Sequence, residues 1–406
     1  MDSGSIAWML TASALVLLMT PGLAFFYGGL VRAKNVVNTI MYSFIAMGLA
    51  TVVWILWGYS LAFGPGGAYI GNFDFVGLSN IPFDEDAGGI PTLLFVVFQG
   101  MFAIITPALI TGAFVERFKF STYLVFLVLW LTLVYAPICH WVWASDGWLF
   151  NYNGHGALDF AGGTVVHINA GVAAVAAAIM VGKRRNPGLE PHNVPYVMLG
   201  AGLLWFGWFG FNAGSELAAD ARAVSAFVVT NAAAATSALT WGLISHFRTG
   251  KMSAVGVATG AVAGLVAITP ASGHVGVMGA LAIGFTAGTI CLFAVDIIKK
   301  LGLDDALDVF AVHGIGGIIG ALLTGVFAVE ALSGVAGVIE GNPGIMVVQV
   351  ISVVATLAYS LVVTLAILFV LDKIPGLGLR VSEQEEDNGL DISAHGERAF
   401  IRDGAD

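Results

Sequence analysis

The chain has 406 residues, of which 58% are hydrophobic and only 10% are charged, and its formal net charge is −10. A soluble globule cannot cover its surface with so few polar side chains, so the composition excludes a soluble protein and indicates a polytopic membrane protein. The net charge lies mostly in loops and in the C-terminal tail, and we expect no nucleic-acid partner. Cys139 and Cys291 fall inside apolar segments, where we expect free thiols.

Eleven apolar segments are long enough to cross a bilayer as helices. The predicted spans are residues 6–30, 36–63, 91–115, 120–145, 158–181, 194–213, 223–243, 253–272, 275–298, 306–329 and 343–371. No basic region precedes the first span, so no cleavable signal peptide is predicted. An odd number of spans places the two termini on opposite sides of the membrane.

Lysine and arginine predict the orientation of these spans, because they are enriched in cytoplasmic connections. If the N-terminus is outside, only Arg222 of the 16 lysines and arginines lies on the outer side. The chain is therefore predicted to be an all-α polytopic membrane protein with its C-terminus in the cytoplasm. Residues 1–371 would form the transmembrane domain and residues 372–406 a polar regulatory tail. The tail's carboxylates are expected to meet basic loop residues, namely Lys183, Arg184, Arg185, Arg248 and Lys251.

An aspartate precedes a histidine by eight residues twice, Asp159 before His167 and Asp305 before His313. Eight residues of helix advance about 12 Å, which leads from a membrane surface to near the middle of the hydrocarbon. With the predicted orientation the two pairs enter from opposite sides, which is typical of an inverted repeat with a site at the midplane. Helices 1–5 and 6–10 would be the two halves, and helix 11 would be an added peripheral span.

A histidine within a membrane span is costly and is by default a functional residue, although a buried histidine hydrogen-bonded between helices is the alternative. Heme or metal ligation by the two histidines is a less favoured alternative, because no further ligands with suitable spacing accompany the pair. We therefore expect no cofactor and no metal. Asp159 and Asp305 could both be helix N-caps, since acids favour the positive end of the helix dipole. Asp159 could also favour a cation that arrives from an outer vestibule.

Aromatic residues cluster in three places. Helix 4 ends in HWVW at residues 140–143, and for Trp141 and Trp148 we favour a position in the aromatic belt at the membrane surface. Helix 3 carries FQGMF at 98–102, and helix 6 carries WFGWFGFNAGS at 205–215. Ordinary packing is the alternative there, but the glycines thin one face of helix 6 while aromatic rings fill another.

Six segments are distinctive: FFYGGLVRAKN (25–35), FQGMF (98–102), HGALDFAGGTVVHINAG (155–171), WFGFNAGSE (208–216), DVFAVHGIGG (308–317) and GLRVSEQEEDNGLDISAHGERAF (378–400). Together they resemble the ammonium transporter family, Amt/Mep, over essentially the whole chain. The resemblance implies a homotrimer in the cell membrane, in which each protomer has eleven helices and its own narrow hydrophobic pore. It also implies a cytoplasmic PII-type signal protein whose loop would plug the inner pore mouth.

The resemblance assigns roles at the outer end of the pore. Phe102 and Phe211 correspond to the stacked phenyl rings that close the outer mouth. Trp143 and Ser215, together with Phe102, correspond to the outer site that recruits the cation.

Further in, the resemblance makes His167 and His313 the twin histidines of the pore, and Asp159 the acid behind the vestibule. Further pore candidates are Trp208, Phe26 and Tyr27.

The sequence thus predicts an ammonium transporter or channel that is not an enzyme. It would recruit ammonium, remove its proton and conduct ammonia, with or without the proton. Ammonium can lie on an aromatic face by cation–π attraction. It can also donate a hydrogen bond to Ser215, and potassium cannot donate one. An ammonium sensor with little transport is the alternative. A channel for another neutral solute is less favoured, because Trp143 and Ser215 would have no purpose there.

Overall fold

The computed structural model describes residues 1–187 and 190–400, which fold into helices joined by loops. We number the long helices in chain order: α1 Ser3–Leu30, α2 Ala33–Phe63, α3 Thr92–Ala113, α4 Phe120–Trp143, α5 Gly163–Val181, α6 Val194–Gly214, α7 Ala221–Thr249, α8 Ala254–Ile268, α9 Val277–Lys300, α10 Phe310–Phe327 and α11 Ile345–Lys373. Ten are long and apolar enough to cross a membrane, and α8 is a shorter apolar helix. One helix falls in each predicted span, which confirms an all-α polytopic membrane protein. The number of crossings, the orientation and the inverted repeat stay predictions.

Helices α5 and α10 both begin with a π-helical turn, Gly163–Ile168 in α5 and Phe310–Ile315 in α10. A π turn holds an extra residue and is frequent at functional sites. His167 lies in the first of these turns and His313 in the second. The two predicted halves therefore carry the same local distortion at their histidines.

Helices α5 and α10 cross in close contact at Gly171 and Gly314. A Cβ atom at Gly171 would collide with the backbone nitrogen of Gly314, so the crossing requires glycine. Just before α5, Gly162 has φ 113°, a left-handed conformation that glycine adopts without steric cost. These two glycines let the backbone turn into α5 and then approach α10.

Helix α11 packs on α4, α5 and α10, and so on both predicted halves. Two of its buried polar side chains, Ser360 and Thr364, are bonded to neighbouring helices. The Ser360 hydroxyl donates to the Asn169 carbonyl at 2.9 Å, and the Thr364 hydroxyl accepts from Trp130 Nε1 at 3.0 Å. The span that we predicted as peripheral is therefore joined to α5 and α4 by hydrogen bonds.

The described part of the tail lies along loops that are predicted to be cytoplasmic. The Lys119 amide donates to the Leu379 carbonyl at 2.9 Å, and the Val381 amide donates to the Arg117 carbonyl at 3.1 Å. A short helix, α12 (Glu383–Asn388), follows. The tail is thus joined to the α3–α4 loop by backbone hydrogen bonds.

Beyond α12 the tail is bonded to the start of α2. The Asn35 side-chain oxygen accepts from the Leu390 amide, and the Asp391 carboxylate accepts from the Asn38 amide, each at 2.8 Å. Leu390 and Asp391 are both buried. The tail therefore packs against the transmembrane domain as a folded segment over its described length.

The predicted cation partners of the tail are only partly right. Arg185 contacts the carboxylates of Glu383 and Asp387, as expected. Arg184 and Arg248 instead pair with acids of the transmembrane domain. The prediction was wrong for these two because the sequence shows the charges but not which acids the helix packing brings near them.

Candidate functional site

His167 and His313 meet inside the helix bundle. Their Nδ1 atoms are 3.2 Å apart, and the ring centroids are separated by 5.3 Å with an angle of 25° between the planes. Both side chains are buried. At this distance a single hydrogen lies between the two nitrogens, so one ring donates and the other accepts. Within the described residues, Nε2 of His167 has no hydrogen-bond partner.

A narrow cavity runs past the two imidazole rings. Its volume is about 10 Å³, close to what one water-sized molecule occupies. The indole nitrogen of Trp208 donates to the Thr269 hydroxyl at 2.8 Å, so it is already satisfied. The lining is otherwise apolar apart from the histidines, and its residues are Met19, Leu23, Phe26, Ile105, Leu109, Val166, His167, Leu204, Trp208, Phe211, Val262 and His313.

Two phenyl rings lie next to the histidines. The centroids of Phe102 and Phe211 are 4.4 Å apart, and their planes are tilted by 44°. Phe211 also faces His167, with 6.0 Å between centroids and 23° between planes. Both phenylalanines are buried, so they form an apolar barrier directly beside the imidazole pair.

The residues of the predicted recruitment site contact these two phenylalanines. Trp143 meets Phe102 edge to face, with centroids 5.7 Å apart and planes at 86°. The indole nitrogen of Trp143 donates to the Asp159 carbonyl at 2.9 Å, which fixes the orientation of the ring. The Ser215 hydroxyl donates to the Phe211 carbonyl at 2.8 Å, so its lone pairs remain available as acceptors.

The Asp159 carboxylate is buried and caps the first turn of α5. It accepts from the amides of Gly162 at 2.9 Å, Gly163 at 2.5 Å, Thr164 at 2.9 Å and Val165 at 3.3 Å. The Thr164 hydroxyl donates to it as well. These contacts make the Asp159 side chain a cap for the first amides of α5, although the residue at the N-cap position is Gly162 and not Asp159, as the sequence suggested. Its effect on an arriving cation stays a prediction.

Asp305 precedes α10 and has fewer partners. One of its oxygens accepts from the Phe310 amide at 2.7 Å, and the other has no partner among the described residues. Burial raises the pKa of Asp305 to about 7, and the nearby charge of Asp308 acts in the same direction. A carboxyl group in this environment holds its proton far more readily than an exposed one.

A second cavity of about 220 Å³ opens beyond His313. Phe26 lines both cavities, and Tyr27 lines this second one. Asp308 and Lys299 also line it, and the Lys299 ammonium donates to the Asp308 carboxylate at 3.2 Å. With the predicted orientation, this cavity is the inner end of the pathway.

Neither Asp308 nor Lys299 was predicted from the sequence to be a site residue. A signal was present, because Asp308 lies in the same segment as His313, three residues after Asp305. The sequence alone does not tell which of the two acids faces the cavity. Lys299 looked like one of several cations that flank a membrane span.

An ion-pair network connects the loop before α10 with the loops that hold the tail. Glu116 is buried and accepts hydrogen bonds from Arg32 at 2.9 Å, Asn35 at 3.0 Å and Arg184 at 3.1 Å. Arg184 also donates to both oxygens of Asp304. Burial opposes ionisation of Glu116, but the hydrogen bonds and charge of Arg32, together with the charge of Arg184, outweigh it and hold the pKa of Glu116 below its usual range.

Residues 7–400 match the family model of the Ammonium Transporter Family. The chain belongs to this family. It is 51% identical over 407 residues to the ammonium transporter of Aquifex aeolicus, a match that covers 98% of this chain and 94% of that protein.

Solved structures agree with this placement. The crystal structure of Saccharomyces cerevisiae Mep2 is 40% identical, with a TM-score of 0.88 and coverage of 94% of this chain and 91% of that chain. A structure described as a Sensor Amt Protein is 30% identical, with a TM-score of 0.88 and coverage of 97% and 98%. The transporter is therefore a multi-pass protein of the cell membrane, in a family of membrane transporters whose substrate is ammonium.

Proposed function

We propose that the transporter recruits ammonium at an outer aromatic site, removes its proton and conducts ammonia past His167 and His313. The observation that carries the proposal is the hydrogen-bonded imidazole pair in a narrow apolar cavity, directly behind the barrier of Phe102 and Phe211. A pathway this narrow and apolar suits a small neutral molecule. Two neutral imidazoles supply the few polar contacts that such a molecule needs.

Recruitment is assigned to Trp143, Phe102 and Ser215. A cation on the face of an indole ring gains about 0.5–2 kcal/mol, depending on how far it is desolvated. The Ser215 hydroxyl already donates its hydrogen to a carbonyl, so it can only accept another hydrogen bond. Ammonium can donate that bond and potassium cannot. This difference selects between two cations of similar size and charge.

The gate formed by Phe102 and Phe211 favours loss of the proton. An ion that enters an apolar cavity loses its hydration, and without compensating partners this costs many kcal/mol. Ammonium avoids much of that cost by giving a proton to solvent water at the outer site and continuing as ammonia. Potassium has no such route, so the same barrier that admits ammonia excludes potassium.

His167 and His313 then hold the ammonia. The hydrogen between their Nδ1 atoms leaves the two Nε2 atoms with opposite roles, one donor and one acceptor. Ammonia can both donate and accept, so it matches either ring as it passes. Thereafter it reaches the inner cavity, where Phe26, Tyr27 and Asp308 form part of the lining.

An ammonium pulse on proteoliposomes tests this function. The purified protein is reconstituted, and both the current and the internal pH are recorded after ammonium is added outside. We expect a current if the proton follows the ammonia, and internal alkalinisation without current if it does not. Potassium at the same concentration should give neither response. Ammonium responses equal to those of empty vesicles would contradict transport.

We further propose that the transporter is a homotrimer and that its inner mouth binds a PII-type signal protein. Both proposals follow from the family resemblance, and the tail that packs on the loops of the transmembrane domain supports the second. Deletion of residues 380–406 should lower transport and abolish binding of the regulator while the trimer survives. Mass measurement in detergent, flux and pull-down test these three outcomes, and full activity with intact regulator binding would contradict the proposed role of the tail.

A sensor is the second candidate function, because the Sensor Amt Protein has a similar fold over nearly its whole length. A sensor would bind ammonium with the same outer site but pass little of it. The proteoliposome assay separates the two functions. Binding of ammonium without flux would favour the sensor.

A further inference from the structure

Gln349 in α11 is the side chain that joins three separate segments around the site. Its Oε1 accepts from the Leu158 amide at 2.8 Å, and its Nε2 donates to the Leu158 carbonyl at 3.0 Å. The second hydrogen of Nε2 goes to the Ala321 carbonyl in α10, at 2.7 Å. Gln349 is only 1% exposed. The side-chain amide therefore pairs with both backbone groups of Leu158 and is anchored to α10 at the same time.

The two anchored residues are neighbours of the proposed pathway. Leu158 immediately precedes Asp159, whose carbonyl accepts from the indole of Trp143 and whose carboxylate caps α5. Ala321 lies in α10, the helix that carries His313. One amide group thus fixes the outer segment with respect to the helix of the inner histidine.

The hydrogen-bonding pattern explains why an amide is found at this buried place. Both hydrogens of the amide nitrogen and one lone pair of its oxygen are used, so the side chain is well satisfied. An apolar residue would leave the Leu158 amide and two carbonyls without these partners. A buried group that loses its partner is strongly disfavoured, so the segment would shift to find new ones.

We propose that Gln349 is a positioning residue for ammonium recruitment. It holds the backbone of Leu158 and Asp159 so that the Asp159 carbonyl fixes Trp143 above the phenyl gate. The proposal rests on the proposed function, because it assigns Gln349 to the outer site of the same pathway. It gives α11 a part in selectivity although no atom of Gln349 lines either cavity.

Gln349→Met tests the proposal, because methionine has a similar length and volume but cannot form these hydrogen bonds. We expect the ammonium concentration for half-maximal transport, followed as current or as internal alkalinisation, to rise about fivefold. That is the effect of losing the one hydrogen bond, from Trp143 to the Asp159 carbonyl, that orients the indole ring. Discrimination against potassium should fall with it. Thr364→Val is the matched control, since it removes a buried interhelical hydrogen bond to Trp130 from the same helix, away from the pathway. It should change the half-maximal concentration by less than about twofold.

A double-mutant cycle with Trp143→Leu separates positioning from a general loss of stability. If Gln349 acts through Trp143, then Gln349→Met should add no further change in half-maximal concentration when Trp143 is already leucine. Additive effects, or an effect only on the amount of folded protein, would overturn the proposal.

If Gln349→Met does not fold, Gln349→Glu serves in the same cycle, because it keeps the acceptor for the Leu158 amide and loses at least one donor. Its half-maximal concentration should rise as well, and again only when Trp143 is present; an unchanged value would overturn the proposal. Absence of both current and internal alkalinisation in the wild-type protein would count against the proposed function, whereas normal wild-type transport with normal variants would count against Gln349 alone.

Discussion

Asp159 and Asp305 stand at the same distance before His167 and His313, but only Asp159 has both carboxylate oxygens bonded. Four backbone amides and one hydroxyl donate to Asp159. Asp305 receives the Phe310 amide on one oxygen, and within the described residues its other oxygen has no partner. The repeated spacing thus places a fully bonded capping carboxylate before His167 and, before His313, a carboxyl that readily holds a proton.

The first prediction concerns Asp305→Asn. Burial raises the pKa of Asp305 to about 7, so the folded protein keeps a proton that the unfolded chain releases above about pH 4. The stability that the protonated Asp305 side chain contributes is therefore present at low pH, and it is lost as the pH rises from about 4 to about 7. Asparagine cannot ionise, so the variant should gain stability relative to wild type as the pH rises through this range. Thermal unfolding in detergent at several pH values measures this gain.

Asp159→Asn is the matched control for that measurement. An asparagine there would turn a donor group toward amides that already donate, so the variant should be less stable by about 1–3 kcal/mol at neutral pH. The two substitutions are chemically identical, yet their expected effects have opposite signs. Equal changes in the melting temperatures of both variants would contradict the difference between the two sites.

The second prediction is that His167→Ala or His313→Ala reduces the discrimination between ammonium and potassium. Each change removes one member of the imidazole pair and widens the cavity, so water can enter and support a cation. The loss of one or two hydrogen bonds corresponds to a change of about tenfold in the selectivity ratio. Currents with ammonium and potassium measure this ratio.

His155→Ala serves as the control for the histidine variants, because His155 lies in the loop before α5, outside both cavities. It should leave the selectivity ratio unchanged. Wild-type ratios in both pore variants would rule out a role of the imidazole pair in selection.

The third prediction concerns the indole of Trp143. Trp143→Leu removes cation–π attraction of about 1 kcal/mol, so the half-maximal ammonium concentration should rise several-fold. Trp143→Phe keeps an aromatic face but loses the hydrogen bond to the Asp159 carbonyl, and it should lie between wild type and leucine. Trp148→Leu is the control, because Trp148 packs against Trp141 and not against Phe102. Identical concentration dependence in all four proteins would place Trp143 in the aromatic belt.

The fourth prediction compares two glutamates of the tail. Glu386 is buried and accepts from the Arg185 amide at 2.8 Å and from the Arg380 guanidinium at 2.7 Å. Glu383 is 79% exposed and contacts Arg185 at the surface. Glu386→Gln should weaken the docking of the tail by about 1–3 kcal/mol, because a neutral amide replaces a charged acceptor. It should increase proteolysis of the tail and lower transport.

Glu383→Gln should change neither property, because exposed ion pairs contribute little to stability. The comparison keeps the net charge of the two variants equal. Faster proteolysis of both variants would point to overall charge instead of the buried contact.

The sequence was most informative about its helices and histidines. Long apolar segments predict membrane helices because unpaired backbone groups are not tolerated in lipid, and each predicted span contains a helix. The pair of His167 and His313 followed from a repeated polar residue at one spacing in apolar segments. Phe102, Phe211 and Trp143 were assigned by family resemblance, and the structure brings all three together.

Contacts between distant segments were not predictable. Gln349 is one of several polar residues in an apolar span, and its partner Leu158 is 191 positions away. Arg184 looked available to the tail, but helix packing brings Glu116 and Asp304 closer. In both cases the sequence contains the polar group, whereas the partner depends on how helices pack.

The π turns at the start of α5 and α10 also have a consequence for helical phase. Each residue of a regular α-helix turns the chain by about 100°. Because a π turn takes up one extra residue, everything before it is rotated by about that angle from the position that a regular α-helix of the same residues would give it. Winding Gly163–Ile168 as regular α-helix, with no residue removed, would still leave a long apolar helix. It would, however, rotate the Asp159 cap and its loop away from their present partners. The extra residue therefore lets the outer loop and the buried part of the span each face their own partners.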